Sequence, residues 1–481
     1  MEFDRHLTAL HRHDLSRPIR LLIADGLLSA GESLFDYGCG RGGDVRLLAR
    51  MGFQCAGWDP AHSPDIVPRP ADVVNLGYVV NVVESPPERA EVLQRAWALA
   101  RKRLVVSARL RGELSDTKPV GDFADGVVTQ RGTFQKFYEQ GELKTWVEAT
   151  LGVSPVAAAP GIFYVFRETA DRSNFLAARY RRASQRPRLS RLDEMVTANQ
   201  DLFDSLSLFV ADRGRPPGPE EWPDHERFLQ AIGTMDRGMR ALRNAVPADS
   251  LEAAQRARAE DLLLFVALSR FDGRPDFHQL HLSLQRDVKA FFGTYKRACA
   301  EADRALLTMG DAAARDAELA ASRIGKLLPN ALYLHISALP AVSLTLRLYE
   351  GCARHYLGAI EDSNIVKLAR GEPRVSFLTY PAFDKDPHPA LAASTSVRLQ
   401  TFQIRDRRYD SWSNPPILHR KETFLEPGHP SYAKFARLTR QEESHGLYAN
   451  PSSIGTREGW ETVLSEKGLT LAGHRVVTKK A

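Results

Sequence analysis

The sequence predicts an α/β N-terminal domain, followed by a mainly α-helical domain and an α+β C-terminal domain. Three observations carry that reading. First, a short apolar run, Leu34-Phe35-Asp36-Tyr37, turns through Gly38, Gly40 and Gly42 and opens into Val45-Arg46-Leu47-Leu48-Ala49-Arg50, whose apolar residues recur at helical spacing: strand, tight turn, helix. Second, further short apolar runs follow at Gln54–Trp58, Ala71–Tyr78, Leu104–Ser107 and Ile162–Phe166, with amphipathic stretches over 87–101 and 140–150 between the later ones. Third, residues 224–328 are patterned as helices throughout, for example Phe228, Ile232, Met235, Met239 and Leu242, whereas the last third mixes strands, helices and turns. The expected domains are 1–170, a basic and Pro/Gly-rich connector over 171–223, a helical domain over 224–330 and an α+β domain over 331–481.

The glycine turn is the chemically informative stretch. Glycines at 38, 40 and 42 permit backbone angles and a ligand approach that side chains would block, and the helix behind them aims free N–H groups and a partial positive charge at the loop. Gly38, Gly40 and Gly43 also satisfy the dinucleotide pattern G-x-G-x-x-G, and Asp59, at the end of the second strand, lies near the distance expected of a ribose-binding acid. These features suit NAD and S-adenosylmethionine alike. Asp36 separates them: a carboxylate two residues before the first glycine would repel a pyrophosphate, but could accept from the cationic amino end of S-adenosylmethionine. The expected cofactor is therefore S-adenosyl-L-methionine. Asp36 is read as the contact to the methionine amine, Asp59 as the contact to the ribose hydroxyls, Gly38, Gly40 and Gly42 as the loop, and Tyr37 and Trp58 as residues near the cofactor.

The remaining composition sets bounds. At 481 residues, 43% hydrophobic and 26% charged, the chain has the make-up of a folded multidomain protein. Cys39, Cys55, Cys299 and Cys352 are too scattered for a disulfide framework, Met1–His6 lacks a charged-then-apolar leader, and no apolar run reaches membrane-spanning length, so a cytoplasmic protein without membrane contact is expected. Residues 331–481 carry 20 basic and 15 acidic side chains against 20 and 21 in residues 1–170. A basic surplus in the last third, attached to a neutral cofactor domain, suits a polyanionic partner such as DNA and equally suits an ordinary solvated surface.

Along the chain, residues 6–28 read as a helical lead-in, either covering the sheet edge with His6, His11, Arg12, His13, Arg17 and Arg20 solvated or forming a lid that brings these cations near cofactor or substrate, and the dozen residues after Asp59, with prolines at 60, 64, 68 and 70, leave no room for a full helix before the next strand. Asn75-Leu76-Gly77-Tyr78 lies where enzymes that methylate exocyclic amines often carry Asn/Asp-Pro-Pro-Tyr, so Asn75 and Tyr78 are the candidate catalytic residues: the amide would accept from the amine and the ring would stack on an extruded base. Both prolines are missing, and a buried strand end is the competing reading. A literal Asn414-Pro415-Pro416-Ile417 reads as a loop, and the lack of a Pro-Cys dipeptide disfavours cysteine-nucleophile chemistry on cytosine. The six arginines within 177–192 suit either a phosphate backbone or a solvated linker. Cys352, His355, Asp384, Asp386 and His388 lack paired metal-site spacing and read as a hydrogen-bond network, so no metal is expected.

Taken together, His11-Arg12 through Leu15-Ser16, Asp36–Gly42, Gly57-Trp58-Asp59-Pro60, Gly132–Lys136, Tyr349–Arg354, Phe383–Pro389, Asn414–Glu422 and Ile454–Arg457 give the chain its resemblance to a known group. It resembles the DNA phosphorothioation-associated methyltransferases, bacterial proteins encoded beside DNA sulfur-modification and restriction systems, over essentially its full length. The resemblance implies a Rossmann-like class I methyltransferase domain, S-adenosylmethionine chemistry linked to DNA, and proteins of such a system as partners. The rival expectation is a non-catalytic or regulatory DNA-binding component that retains the cofactor fold.

Overall fold

The computed structural model describes residues 3–117, 119–184, 189, 194–247 and 249–479. The chain divides into two compact units, one formed by Met1–Glu168, Leu319–Ala341 and Cys352–Ala481, the other by Thr169–Glu318 and Val342–Gly351. The first and last thirds of the sequence thus belong to one unit, and the helical middle is a second.

The first unit begins with helix α1 (Arg17–Ala24), strand β1 (Ser33–Tyr37), helix α2 (Gly43–Arg50), and strands β2 (Gln54–Trp58) and β3 (Ala71–Gly77). Helix α3 (Pro86–Leu99), strand β4 (Ala100–Ser107), a small antiparallel sheet of β5 (Pro119–Phe123), β6 (Gly126–Thr129) and β7 (Phe134–Gln135), helix α4 (Gln140–Leu151) and strands β8 (Val156–Ala159) and β9 (Ile162–Phe166) follow. The main sheet has the order β2-β1-β3-β4-β9-β8; β2, β1, β3 and β4 are parallel, and β9 runs antiparallel to both neighbours. This is a Rossmann-like sheet, and its strand order reverses between β1 and β3. Ligands of open α/β sheets bind outside the carboxyl ends of the strands at such a reversal. Phe35, Val74, Leu76, Leu104, Val106, Phe163 and Val165 are buried with Leu93, Leu143 and Val147 from the covering helices, each worth about 1.5–3 kcal/mol of transfer free energy.

The short Asp59–Pro70 passage carries no helix, as its length and prolines require. The single lead-in helix expected over 6–28 is corrected: a 3-10 turn covers Arg5–Thr8, and α1 starts only at Arg17. Pro18 explains the break, since it lacks an N–H and its ring obstructs the preceding turn, so it is accommodated at the start of a helix and not within one.

The last third of the chain adds a six-stranded antiparallel sheet in sequence order: β10 (Lys326–Leu328), β11 (Ala331–His335), β12 (Ile365–Ala369), β13 (Arg374–Thr379), β14 (Ala393–Arg398) and β15 (Ile404–Arg408). Its link to the first third is close. Gly358, at φ +78°, lies so near the backbone of Ala158 that a Cβ would come within 2.4 Å of the Ala158 carbonyl carbon. The Ala359 N–H donates to the Ala158 carbonyl at 2.6 Å, the Gln140 amide donates to the Tyr356 carbonyl at 3.1 Å, and Arg17 pairs with Glu361. The expected separate domain over 331–481 is accordingly joined to the first.

The second unit is helical, with long members at Gln200–Arg213, Ser250–Leu268 and Tyr295–Gly310. It starts at Thr169, so the stretch read as a connector contains the helices Thr169–Tyr180 and Gln200–Arg213. Within the arginine run, Arg182 donates to Asp261 and Glu260 at 2.7 Å, Arg181 reaches Asp212 at 3.4 Å, and Arg179 lies over the Phe175 ring. These three are engaged inside the unit and do not form an open phosphate-binding edge; Arg186, Arg188 and Arg191 lie outside the described residues. Arg213 and Arg215 share the buried carboxylate of Asp287 at 2.6 and 2.7 Å. Among the described residues no helix is long and apolar enough to cross a membrane.

Candidate functional site

At the β1/β3 reversal a cleft of about 1370 Å³ opens over the carboxyl ends of the strands, lined by residues of the glycine loop, the β2 and β3 ends and the N-terminal segment. Gly38, Gly40 and Gly42 all have positive φ (85°, 52° and 66°), whereas Gly43 is the first residue of α2. The left-handed positions follow the 38-40-42 spacing and not the dinucleotide spacing. A Cβ on Gly38 would lie 2.4 Å from Val79 Cγ2, so the turn fits only glycine there. The Gly38 and Cys39 N–H groups donate to the Trp58 carbonyl at 2.8 and 3.0 Å, locking the loop to β2.

Asp36 stands in register with Asn75 across the β1–β3 pair, and its carboxylate accepts from Asn75 Nδ2 at 2.8 Å. Asp36 is 4% exposed, and burial together with the neighbouring Asp44 raises its pKa to about 7, the Asn75 bond only partly opposing them. Among the described residues no cation lies within ion-pair distance of it. Asn75 is 2% exposed, and its Oδ1 has no partner. The pair therefore places at the cleft wall a buried carboxyl and a buried amide oxygen that has a free acceptor position.

Tyr78 sits just past β3 at φ +60°, a costly conformation for an aromatic residue, and its N–H is held by the Ser107 carbonyl and hydroxyl at 3.0 and 3.2 Å. Strain of this kind collects at functional sites, and Tyr78 also borders the cleft. Tyr37 and Trp58 contact each other with ring centroids 5.0 Å apart, forming an aromatic step beside the loop. Asp59 is partly engaged already: Oδ2 accepts from the Gly40 N–H at 3.0 Å and Oδ1 from those of Ala61 and His62 at 2.9 Å. With about four acceptor positions on a carboxylate, roughly one is left for a ligand hydroxyl. Burial, with Asp36 and Asp59 nearby, pushes the Cys39 thiol up to about 11, which removes it as a nucleophile near neutral pH.

Several lining residues lie outside the candidate set read from the sequence. Arg12 is half-buried against Gly43 at the start of α2, and among the described residues its guanidinium has no ion-pair partner. Burial raises the pKa of both Asp36 and Tyr78, and the Arg12 charge opposes part of each rise, which places it near them. Asn81 donates to Gln135 Oε1 at 2.8 Å and leaves its own Oδ1 unpaired. The N-terminal strap is pinned by Arg5, whose guanidinium bonds Glu84 at 2.9 Å and Glu88 at 2.7 Å. Gln135 falls inside the Gly132–Lys136 string already singled out, though nothing in its spacing marked it as a cleft residue, and Arg12 is one of the lead-in cations that the lid reading brings near cofactor or substrate.

The polar clusters of the last third form a buried network elsewhere. His388 Nε2 meets Glu442 at 2.6 Å, Tyr448 donates to the same carboxylate at 2.6 Å, and Lys421 donates to the Phe383 and Asp386 carbonyls at 2.7 and 2.5 Å. Burial lowers Lys421 to about 7. Cys352 and His355 lie on the helix Leu344–Leu357, Asp384 meets Ser431, and Asp386 accepts the His388 N–H; among the described residues these groups do not converge into a metal-binding set. Asn414 accepts the Glu458 N–H at 3.0 Å, so Asn414–Ile417 is a loop that caps the helix Arg457–Glu466.

No protein-family model matches the chain, and no curated protein matches it either. Among solved structures, the chain is similar to magnesium protoporphyrin IX methyltransferase from Synechocystis PCC 6803 with bound SAH, at 16% identity over 34% of this chain and 94% of that one, with a TM-score of 0.25. A SAM-dependent methyltransferase from Aquifex aeolicus matches at 16% identity over 34% of this chain and 98% of the other, with a TM-score of 0.23. The 1,6-didemethyltoxoflavin-N1-methyltransferase of Burkholderia thailandensis matches at 14% identity over 31% and 79%, with a TM-score of 0.22.

Proposed function

We propose that the cleft binds S-adenosylmethionine and that the chain is a methyltransferase acting on DNA, working with a phosphorothioation or restriction system. The observation that carries the cofactor reading is the buried Asp36 carboxyl beneath the glycine loop: its position disfavours a pyrophosphate and favours an ammonium. When bound, S-adenosylmethionine supplies an electron-poor methyl group that a nucleophile can take directly. Asp36 would hold the amino group, Arg12 the carboxylate, the remaining acceptor position of Asp59 a ribose hydroxyl, and the Tyr37–Trp58 step an apolar face. Asn75 Oδ1 would accept an N–H of an amine acceptor, Tyr78 would stack on its ring, and alignment would be the main source of rate enhancement. DNA as acceptor rests on the family resemblance and on the basic surplus of the last third.

A regulatory, non-catalytic DNA-binding role is the second reading, favoured by Leu76 and Gly77 in place of two prolines and by the three backbone N–H groups already on Asp59. Incubation with labelled S-adenosylmethionine and DNA, followed by nucleoside analysis, separates the two. Transfer to DNA that is lost in Asp36→Ala supports the enzyme; cofactor binding without transfer to any acceptor supports the regulator; a cofactor affinity unaltered by Asp36→Ala refutes the pocket.

A further inference from the structure

The antiparallel sheet of the last third has two chemically opposite faces. Residues paired directly across antiparallel strands share a face, so the register sorts every side chain. One face carries Leu332, Leu334, Val366, Leu368, Val375, Phe377 and Val397, all fully buried. On the other, Lys367 pairs with Ser376, Ser376 with Ser396 and Ser396 with Arg405, while Ser394 pairs with Arg407 and Arg374 with Arg398. Over β12 to β15 this face presents five cations and three serine hydroxyls and no carboxylate; Asp406, the acid within these strands, belongs to the opposite face.

Part of this face is covered: Ile365 and Leu378 pack with Phe383, Phe424 and Phe435. Toward β15 it is open. Arg405 and Arg407 are exposed, and among the described residues neither has an ion-pair partner, whereas Arg374 and Arg398 share Glu372 at the β12–β13 turn. Two residues apart on one strand, Arg405 and Arg407 rise about 6.8 Å from one to the next, comparable with successive phosphates along a nucleic-acid strand. Charge on an edge strand also guards against strand pairing, but that requires no segregation of sign. Here five of the six cations of β12–β15 lie on the side that holds no acid, while Asp406 shares the opposite side with Arg408, Thr379 and Thr395.

We infer that the β12–β15 face, centred on Arg405, Arg407, Ser394 and Ser396, is a docking surface for the sugar–phosphate backbone of DNA. The inference rests on the reading of DNA as partner and names the surface that reading lacks. Contacts of this type position a nucleic acid without reading its sequence, and each phosphate neutralised releases counterions, so binding weakens as salt rises.

The test uses the full-length chain and a fluorescent DNA duplex, with anisotropy titrations at several salt concentrations. Arg405→Ala/Arg407→Ala should weaken binding by about tenfold or more and reduce the magnitude of the salt slope by about two. Lys296→Ala/Arg304→Ala, removing the same charge from exposed sites in the other unit, should leave both nearly unchanged. Ser394→Glu/Ser396→Glu should weaken binding while retaining every arginine, and thermal melts verify that each variant is folded. An unchanged slope in the Arg405/Arg407 variant, or an equal loss in the control pair, overturns the surface. Tighter binding of an RNA duplex that Arg405→Ala/Arg407→Ala abolishes overturns DNA as its occupant. Absence of binding in the unaltered chain overturns the DNA reading itself, and S-adenosylhomocysteine binding, measured in parallel, reports on the cofactor cleft independently.

Discussion

Asp36 is the residue whose titration exposes its role. A carboxyl with a pKa near 7 is mostly protonated at pH 5.5 and mostly ionised at pH 8, and only the ionised form pairs with an ammonium. Affinity for S-adenosylhomocysteine should therefore rise with pH, by up to about tenfold per unit below neutrality, and level off above it. Asp36→Asn should bind at least about tenfold more weakly at pH 8 and should lose the pH dependence; calorimetric titrations at four or five pH values check both, and the same slope in the variant would assign the titration to another group. The places of Asp36, Gly38 and Asp59 at the cleft were legible in the sequence because they follow from position relative to a strand end. Asn81 was not, because it reaches the cleft from a segment whose path the local pattern does not encode, and Arg12 was read only as one of several lead-in cations that a lid would carry there.

Among the elements, the glycine loop is the least tolerant. Gly38 combines a positive φ with a Val79 methyl group where its Cβ would lie. Gly38→Ala should cost about 2 kcal/mol or more in stability and sharply reduce cofactor affinity, whereas Gly52→Ala, also at positive φ but with open space around it, should cost only the backbone strain of about 1–2 kcal/mol. Denaturant unfolding of the two variants provides the comparison. The strands were readable because their apolar runs are continuous and bounded by turns. The lead-in helix was misjudged because hydrophobic spacing looked helical across Pro18, and the chain chemistry at a single residue outweighed the pattern.

For the whole molecule, the instructive point is that the first and last thirds share one unit. Composition and linker signals placed a boundary near residue 330, and such local signals carry no information about contacts 200 residues apart in sequence. The Gly358–Ala158 approach is one of those contacts. Gly358→Val should lower the melting temperature of the unit that contains the β1/β3 cleft, although residue 358 is far from the glycine loop in sequence; unchanged melting by calorimetry would show that this joint contributes little.

The buried carboxyl under the loop has one more consequence. Between about pH 4 and 7 the folded protein holds a proton on Asp36 that an unfolded chain would release, so a cationic ligand seated there must displace it into solvent. Cofactor and proton are then competitors for one oxygen pair, and the measured heat of loading will change with the ionisation enthalpy of whichever buffer takes up the departing proton.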